Sequence, residues 1–252
     1  TLLEEDITFA CNGEGPVTIL GLLQELPNEE ISGLVWLNRD EIINNKPAAL
    51  CSADDLAGDA WDLLPMHLYK SHNWQRFGSL EKRSPYASIY TSFGCPWKCE
   101  FCCIQAPFSP EVYGNRYRMR TPEKVVAEIV MLYTKYSVKT FKFADEMYLL
   151  NKKFVLAISD GIIASGIADD ISIWSYGRVD SVKDEMLPKL AASGMKWIAL
   201  GIEAAEEYVR DGAEKHFTNA DIVKVVRGIE DHGMHVIANW MYGLADDSLE
   251  SM

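Results

Sequence analysis

Three cysteines stand together in the stretch Tyr90-Thr91-Ser92-Phe93-Gly94-Cys95-Pro96-Trp97-Lys98-Cys99-Glu100-Phe101-Cys102-Cys103. At this cysteine frequency the spacing C-x3-C-x2-C arises by composition alone on the order of a few times in a thousand. Three thiolates on one short loop can cap three irons of a cubane iron–sulfur cluster and leave the fourth iron open. A closed structural zinc site asks for four ligands, usually as two separated pairs. No further C-x2-C or H-x3-H pair occurs elsewhere in the chain. Adjacent residues rarely reach one metal from the same loop, so Cys103 stays outside the set. Cys11 and Cys51 read as small buried hydrophobes, whereas Gly94, Pro96 and Lys98 mark the triad as a loop.

A loop of this kind needs a rigid frame, and the pattern from residue 86 onward supplies one. Strands are expected at Tyr86–Ser92, Thr140–Phe143, Ile171–Tyr176, Trp197–Gly201 and His235–Met241. Helices are expected at Pro122–Tyr136 (with Thr121 as N-cap), Lys152–Ser165, Lys183–Ser193 and Asn219–Asp231, with glycine stops at Gly166, Gly194 and Gly233. Alternating strands and helices argue for βαβ units and a parallel sheet, here part of a (β/α) barrel. Upstream, Ile7–Ala10 reads as a strand, Asn12-Gly13-Glu14-Gly15-Pro16 as a turn and Val17–Leu26 as a helix. Gly33–Leu37 and Glu41–Asn44 can pair as a hairpin, and an aromatic segment without clear period runs from Tyr69 to Phe77.

The 252 residues are 48% hydrophobic, enough for one sizeable core or one domain plus part of another. A net charge of −13, from 37 acidic and 24 basic residues, argues against binding along a phosphate backbone. Arg116, Arg118 and Arg120 form a local basic strip, read as a solvated loop. Nucleic acid and membrane are not expected partners. The acidic start TLLEEDITFA has no signal-peptide character, so a cytoplasmic protein is expected. Six cysteines without a signal do not suggest disulfides. Both ends read as truncated.

A C-x3-C-x-aromatic-C loop directly after a first strand resembles the signature of the radical S-adenosylmethionine superfamily. The resemblance implies a [4Fe–4S] cluster on Cys95, Cys99 and Cys102, with Phe101 beside the cofactor. It implies S-adenosylmethionine chelating the open iron and a flavodoxin-, ferredoxin- or reductase-type electron donor. It also places Asp145 and Glu146, which end the second strand, as an acidic pair for the methionyl ammonium; the other reading is a plain strand-end loop. Arg178 ends the third strand and is placed to meet a carboxylate with two parallel hydrogen bonds, an exposed surface arginine being the alternative. Glu203, in Gly201-Ile202-Glu203-Ala204-Ala205, ends the fourth, with Ala204 where the family carries serine. Lys215 and Thr218 resemble a K-x-x-T helix start, read as an N-cap. Cys95, Asp145, Glu146, Arg178 and Glu203 are expected at one cleft on the C-terminal rim of the strands.

The fold expected is therefore α/β: a partial (β/α) barrel of radical S-adenosylmethionine type, preceded by the tail of a Rossmann-like, cobalamin-binding-type domain. Residues 1–26 read as that tail, 27–85 as a connector with a hairpin and 86–252 as the barrel core. The glycine turn before the first helix suits a phosphate such as that of a cobalamin nucleotide tail, though such turns occur in any α/β protein. Three functions stay open: a cobalamin-dependent radical methyltransferase, a cobalamin-independent radical oxidoreductase or lyase, and a non-catalytic cysteine-rich metal-binding module. The substrate, a small molecule or peptide, is not readable.

Overall fold

The computed structural model describes residues 7–56, 60–105 and 117–251. No described helix is long and apolar enough to cross a membrane. The chain starts with β1 (Phe9–Cys11), a turn and α1 (Gly15–Leu23), which begins earlier than expected because Pro16 fits the first turn. The expected hairpin follows as β2 (Leu34–Asn38) and β3 (Glu41–Asn44). β1 pairs antiparallel with β2, and β2 with β3, in one three-stranded sheet. Ile31, Leu34 and Trp36 form its small core, with Leu22 of α1 and Ile43 packed against them. The Thr18 hydroxyl donates to the Ser32 carbonyl at 2.8 Å. The division expected between residues 26 and 27 thus runs through one unit. A three-residue strand needs β2 as its ladder partner, so the first segment cannot stand apart from the hairpin.

Beyond the hairpin the described residues of the connector form short 3-10 turns, at Ala60–Leu63, Met66–Leu68, Asn73–Arg76 and Leu80–Arg83. Turns of three or four residues leave no helical period, which is why the aromatic stretch showed none. Trp74 sets its ring edge-on to Trp174 and Trp197, with centroids 5.5 and 5.2 Å away. Arg76 donates to the Thr140 hydroxyl at 2.7 Å and to the Lys139 and Asp170 carbonyls. These groups mark strand beginnings, so the connector closes the N-terminal end of the sheet.

That sheet opens with β4 (Tyr86–Ile89), followed by β5 (Ser92–Phe93), β6 (Arg118–Met119), α2 (Pro122–Tyr136), β7 (Thr140–Phe143) and α3 (Lys152–Ala164). Then come β8 (Ser172–Arg178), α4 (Leu187–Ala192), β9 (Met195–Glu203), α5 (Glu207–Gly212), α6 (Asn219–Asp231) and β10 (His235–Trp240). Strands β4, β7, β8, β9 and β10 are parallel neighbours in that order. An order that never reverses belongs to a winding barrel and gathers every strand's C-terminal end on one rim. Phe141, Phe143, Ile198, Leu200 and Ile202 bury one face of the sheet against helices carrying Val125, Ile129 and Leu132 at i, i+4, i+7 spacing.

Some local expectations change. The first strand divides at Tyr90 and Thr91, and Ser92–Phe93 instead pairs antiparallel with Arg118–Met119. The helix expected over 183–193 is a 3-10 turn, Asp184–Met186, followed by α4. Thr121 holds the N-cap position, but its backbone N–H and hydroxyl both donate to Asp54, at 2.8 and 2.5 Å. Thr218 does cap α6, in a reciprocal box with Asp221. The basic strip is not solvated. Arg120 is buried against Glu128 at 2.6 Å and the Tyr90 carbonyl at 2.8 Å. Arg118 pairs with Glu14 and the Cys51 carbonyl because β6 lies against the connector; Arg116 lies outside the described residues.

Candidate active site

The cysteine loop is anchored by the acidic pair at the end of β7. Asp145 is fully buried and accepts from the Thr91 N–H at 2.7 Å and from the Thr91 and Ser92 hydroxyls at 2.5 Å each. Burial pushes its carboxyl up to about 6, against the pull of those three donors. Its oxygens face the root of the loop, which removes it from the set expected to meet a ligand. Glu146 is half-buried and accepts from the Gly94 N–H at 3.0 Å. Gly94 itself turns the chain at φ 80°, a conformation costly for any residue with a Cβ.

Cys95 and Cys99 are 9% and 8% exposed, Cys102 is half-buried and Cys103 is exposed. The Cys102 N–H donates to the Cys99 carbonyl at 3.0 Å, closing the second turn of the loop. Burial pushes the Cys95 thiol up to about 11; the charges of Cys99 and Cys102 add to this, while a backbone hydrogen bond from Trp97 and the charge of Arg178 oppose it. Cys95 is therefore within electrostatic reach of Cys99 and Cys102. No three Cys, His, Asp or Glu side chains among the described residues stand close enough to share one metal ion. Thiolates of a cubane cluster bind three different irons and stand apart. A single loop with two buried sulfurs and a neighbouring cation fits that donor set.

Arg178, the last residue of β8, does meet a carboxylate with two hydrogen bonds, and the carboxylate is its own neighbour Asp180, at 2.9 and 3.0 Å. It is 4% exposed, not a surface arginine. Its Nη1 lies 3.6 Å from Cys99 Sγ, and its guanidinium stacks 3.9 Å from the centre of the Trp97 ring. Glu203, last in β9, is buried at φ 73°, a left-handed conformation that a non-glycine residue adopts at some cost. Lys215 Nζ donates to its Oε1 at 2.8 Å and to the Gly201 carbonyl at 3.1 Å. A ladder irregularity at Asn239 and Trp240 of β10 faces this bend.

Two clefts open at the rim. One of about 240 Å³ is lined by Glu203, Ala204, Trp240 and Met241, and another of about 280 Å³ by Phe101, Ala213, Met241 and Leu244. Met241 borders both. The parallel sheet thus brings the cysteine loop, Glu146, Arg178, Glu203 and Phe101 to one rim, with Asp145 beneath it. Trp97 and Asp180 went unread in the sequence. An arginine and aspartate two apart at a strand end were a usable signal for the second, and Trp97 stood inside the motif. The pairing of Lys215 with Glu203 had no local signal.

Comparison with known proteins agrees with this geometry. Residues 89–252 match the Radical SAM superfamily. Over 251 residues the chain is 28% identical to an uncharacterized methyltransferase of Pyrococcus horikoshii, covering 98% of this chain and 51% of the relative. It is 27% identical to the anaerobic magnesium-protoporphyrin IX monomethyl ester cyclase of Cereibacter sphaeroides, covering 98% and 39%. The chain spans about half or less of the length of these relatives. Its fold is that of the radical S-adenosylmethionine methyltransferase TsrM from Kitasatospora setae, solved with cobalamin and a [4Fe–4S] cluster bound, at a TM-score of 0.74 and 17% identity over 99% of this chain and 48% of that one. Since the superfamily match takes in more than half of the residues, including the whole cysteine loop and every strand end after it, the chain belongs to the radical SAM superfamily.

Proposed function

We propose that Cys95, Cys99 and Cys102 hold a [4Fe–4S] cluster whose open iron receives S-adenosylmethionine, and that the whole protein is a cobalamin-dependent methyltransferase. The observation that carries the first part is the loop itself, three thiols on one turn, clamped at its root by Asp145 and Glu146 and set at the C-terminal rim of a parallel sheet. When bound, cluster and S-adenosylmethionine supply the family's chemistry, reductive cleavage of the sulfonium to a 5′-deoxyadenosyl radical. This chain's residues place and shield that chemistry. The cysteines must bind as thiolates, and Arg178 offsets their charge. Burial of Cys95 and Cys99 keeps water from two of the three ligands. Glu203 and Phe101 line adjoining clefts that share Met241 at the rim. A flavodoxin- or ferredoxin-type partner is the electron source this reading requires.

Methyl transfer is favoured by the names of relatives, among them a cytidylyl-2-hydroxyethylphosphonate methyltransferase of Streptomyces wedmorensis at 24% identity, and cobalamin by the ligands of the fold neighbours. A ring-forming oxidative reaction is the second reading, supported by the cyclase at 27% identity. Anaerobic reconstitution of the chain is expected to give about four irons, with S-adenosylmethionine altering the spectrum of the reduced cluster. Alanine at Cys95, Cys99 or Cys102 abolishes the cluster, and alanine at Cys103 leaves it. Iron content indifferent to all three substitutions refutes the assignment. Methyl-labelled S-adenosylmethionine given to the protein extended upstream, with hydroxocobalamin and a low-potential reductant that brings the cobalt to cob(I)alamin, should yield labelled methylcobalamin and S-adenosylhomocysteine; none formed leaves the second reading in front.

A further inference from the structure

Arg178 is the cation set against the cysteine triad, and every part of its fork is in use. Nε and Nη2 take the two Asp180 oxygens, Nη2 also donates to the Glu214 carbonyl at 3.1 Å, and Nη1 is left facing Cys99 Sγ at 3.6 Å. The flat face lies on Trp97, two residues before Cys99 in the same loop. A guanidinium held on three sides does not wander. Asp180 is about a third exposed, so its charge is only partly screened from the guanidinium it orients. We infer that Arg178 sets the reduction potential of the cluster through its N–H···S contact with Cys99, with Asp180 as an opposing counter-charge that aims it.

The inference rests on the cluster reading above. One-electron reduction adds negative charge to the cluster, and a donor or positive charge at a ligand sulfur favours the reduced form. Removing the guanidinium makes reduction harder. Removing the Asp180 charge while keeping an acceptor for Arg178 makes it easier. The opposite signs separate this role from a structural one, because mere loosening admits water and favours the more highly charged reduced form in both variants.

The experiment is a potentiometric titration of the anaerobically reconstituted chain without S-adenosylmethionine, followed by electron paramagnetic resonance of the reduced cluster. Arg178→Gln is expected to lower the reduction equilibrium constant about tenfold, a shift of about 59 mV for one electron. Asp180→Asn is expected to move it the other way by a smaller factor, and Arg178→Lys to fall between wild type and Arg178→Gln. An Arg178→Gln midpoint equal to wild type at equal iron content overturns the inference, as do shifts of the same sign in the Gln and Asn variants. Should Arg178→Gln hold no iron, Arg178→Lys takes its place: a midpoint below wild type together with a rise in Asp180→Asn supports the role, while an Arg178→Lys midpoint equal to or above wild type overturns it. A wild-type chain that takes up no cluster refutes the site itself, whereas a wild-type cluster with unmoved variants refutes only this inference.

Discussion

Asp145 illustrates how one carboxyl can be at the site and not in it. Fully buried, it receives three hydrogen bonds from Thr91 and Ser92, yet desolvation outweighs them and raises its pKa from 3.8 to about 6. A folded-state pKa above the unfolded value means that between about pH 4 and 6 the folded chain keeps a proton the unfolded chain has lost. Its contribution to stability is therefore fully present below about pH 4, falls as pH rises through that window and is flat above it. The size is about 3 kcal/mol. Denaturant unfolding of wild type and Asp145→Asn at pH 4 and pH 7 should show that slope in wild type and lose it in the variant. Equal pH dependence in the two refutes the assignment. The cysteine spacing was legible because the ligand set is local to one loop. The direction of Asp145 was not, since an acid after a strand reads the same whether it faces a ligand or the chain beneath. Arg178 was legible as a bidentate donor, but its partner came within reach only through the 3-10 turn at Val179–Ser181.

At the scale of elements, the parallel strands and long helices were readable because apolar period and glycine stops agree. Where the chain uses turns of three to six residues, as in the connector and α5, no period exists to read. The helix-closing glycines show how much a stop can carry. Gly166 sits at φ 76° with open space where a Cβ would be, whereas at Gly194, φ 91°, a Cβ would lie 2.9 Å from the Ala168 carbonyl oxygen and 2.8 Å from Ile171. Gly166→Ala meets only the left-handed penalty, about 1–2 kcal/mol. Gly194→Ala adds steric overlap with backbone and is expected to cost a further 1–3 kcal/mol, about what overpacking costs in a core. Thermal or denaturant unfolding of both variants tests this, and equal losses would show that Ile171 and the backbone give way freely.

For the whole molecule, polar groups among the described residues tie the N-terminal sheet and the connector to the barrel. Arg118 of β6 pairs with Glu14 and the Cys51 carbonyl, Thr121 binds Asp54, and the Trp61 indole N–H donates to Glu128 at 2.8 Å. Side chains of Arg118 and Glu14 are 16% and 8% exposed, so cutting the pair leaves a nearly buried carboxylate. Arg118→Ala is expected to cost about 3 kcal/mol and, in amide hydrogen exchange, to speed opening of β1, α1, β2 and β3 while the main sheet keeps its protection. Faster exchange spread evenly over both parts would show one cooperative body instead. The unreversed order of β4, β7, β8, β9 and β10 has a consequence of its own. It converts position along the chain into angle around the site, like marks on a dial: cysteine loop, Glu146, Arg178, Glu203 and Met241 occur in sequence as they occur around the rim. Exchanging the segment after one strand alters its own sector and reaches the others only through side chains that cross between them, as Glu146 and Arg178 do to the cysteine loop, so the sector of Met241, uncrossed among the described residues, is the one selection can retune alone.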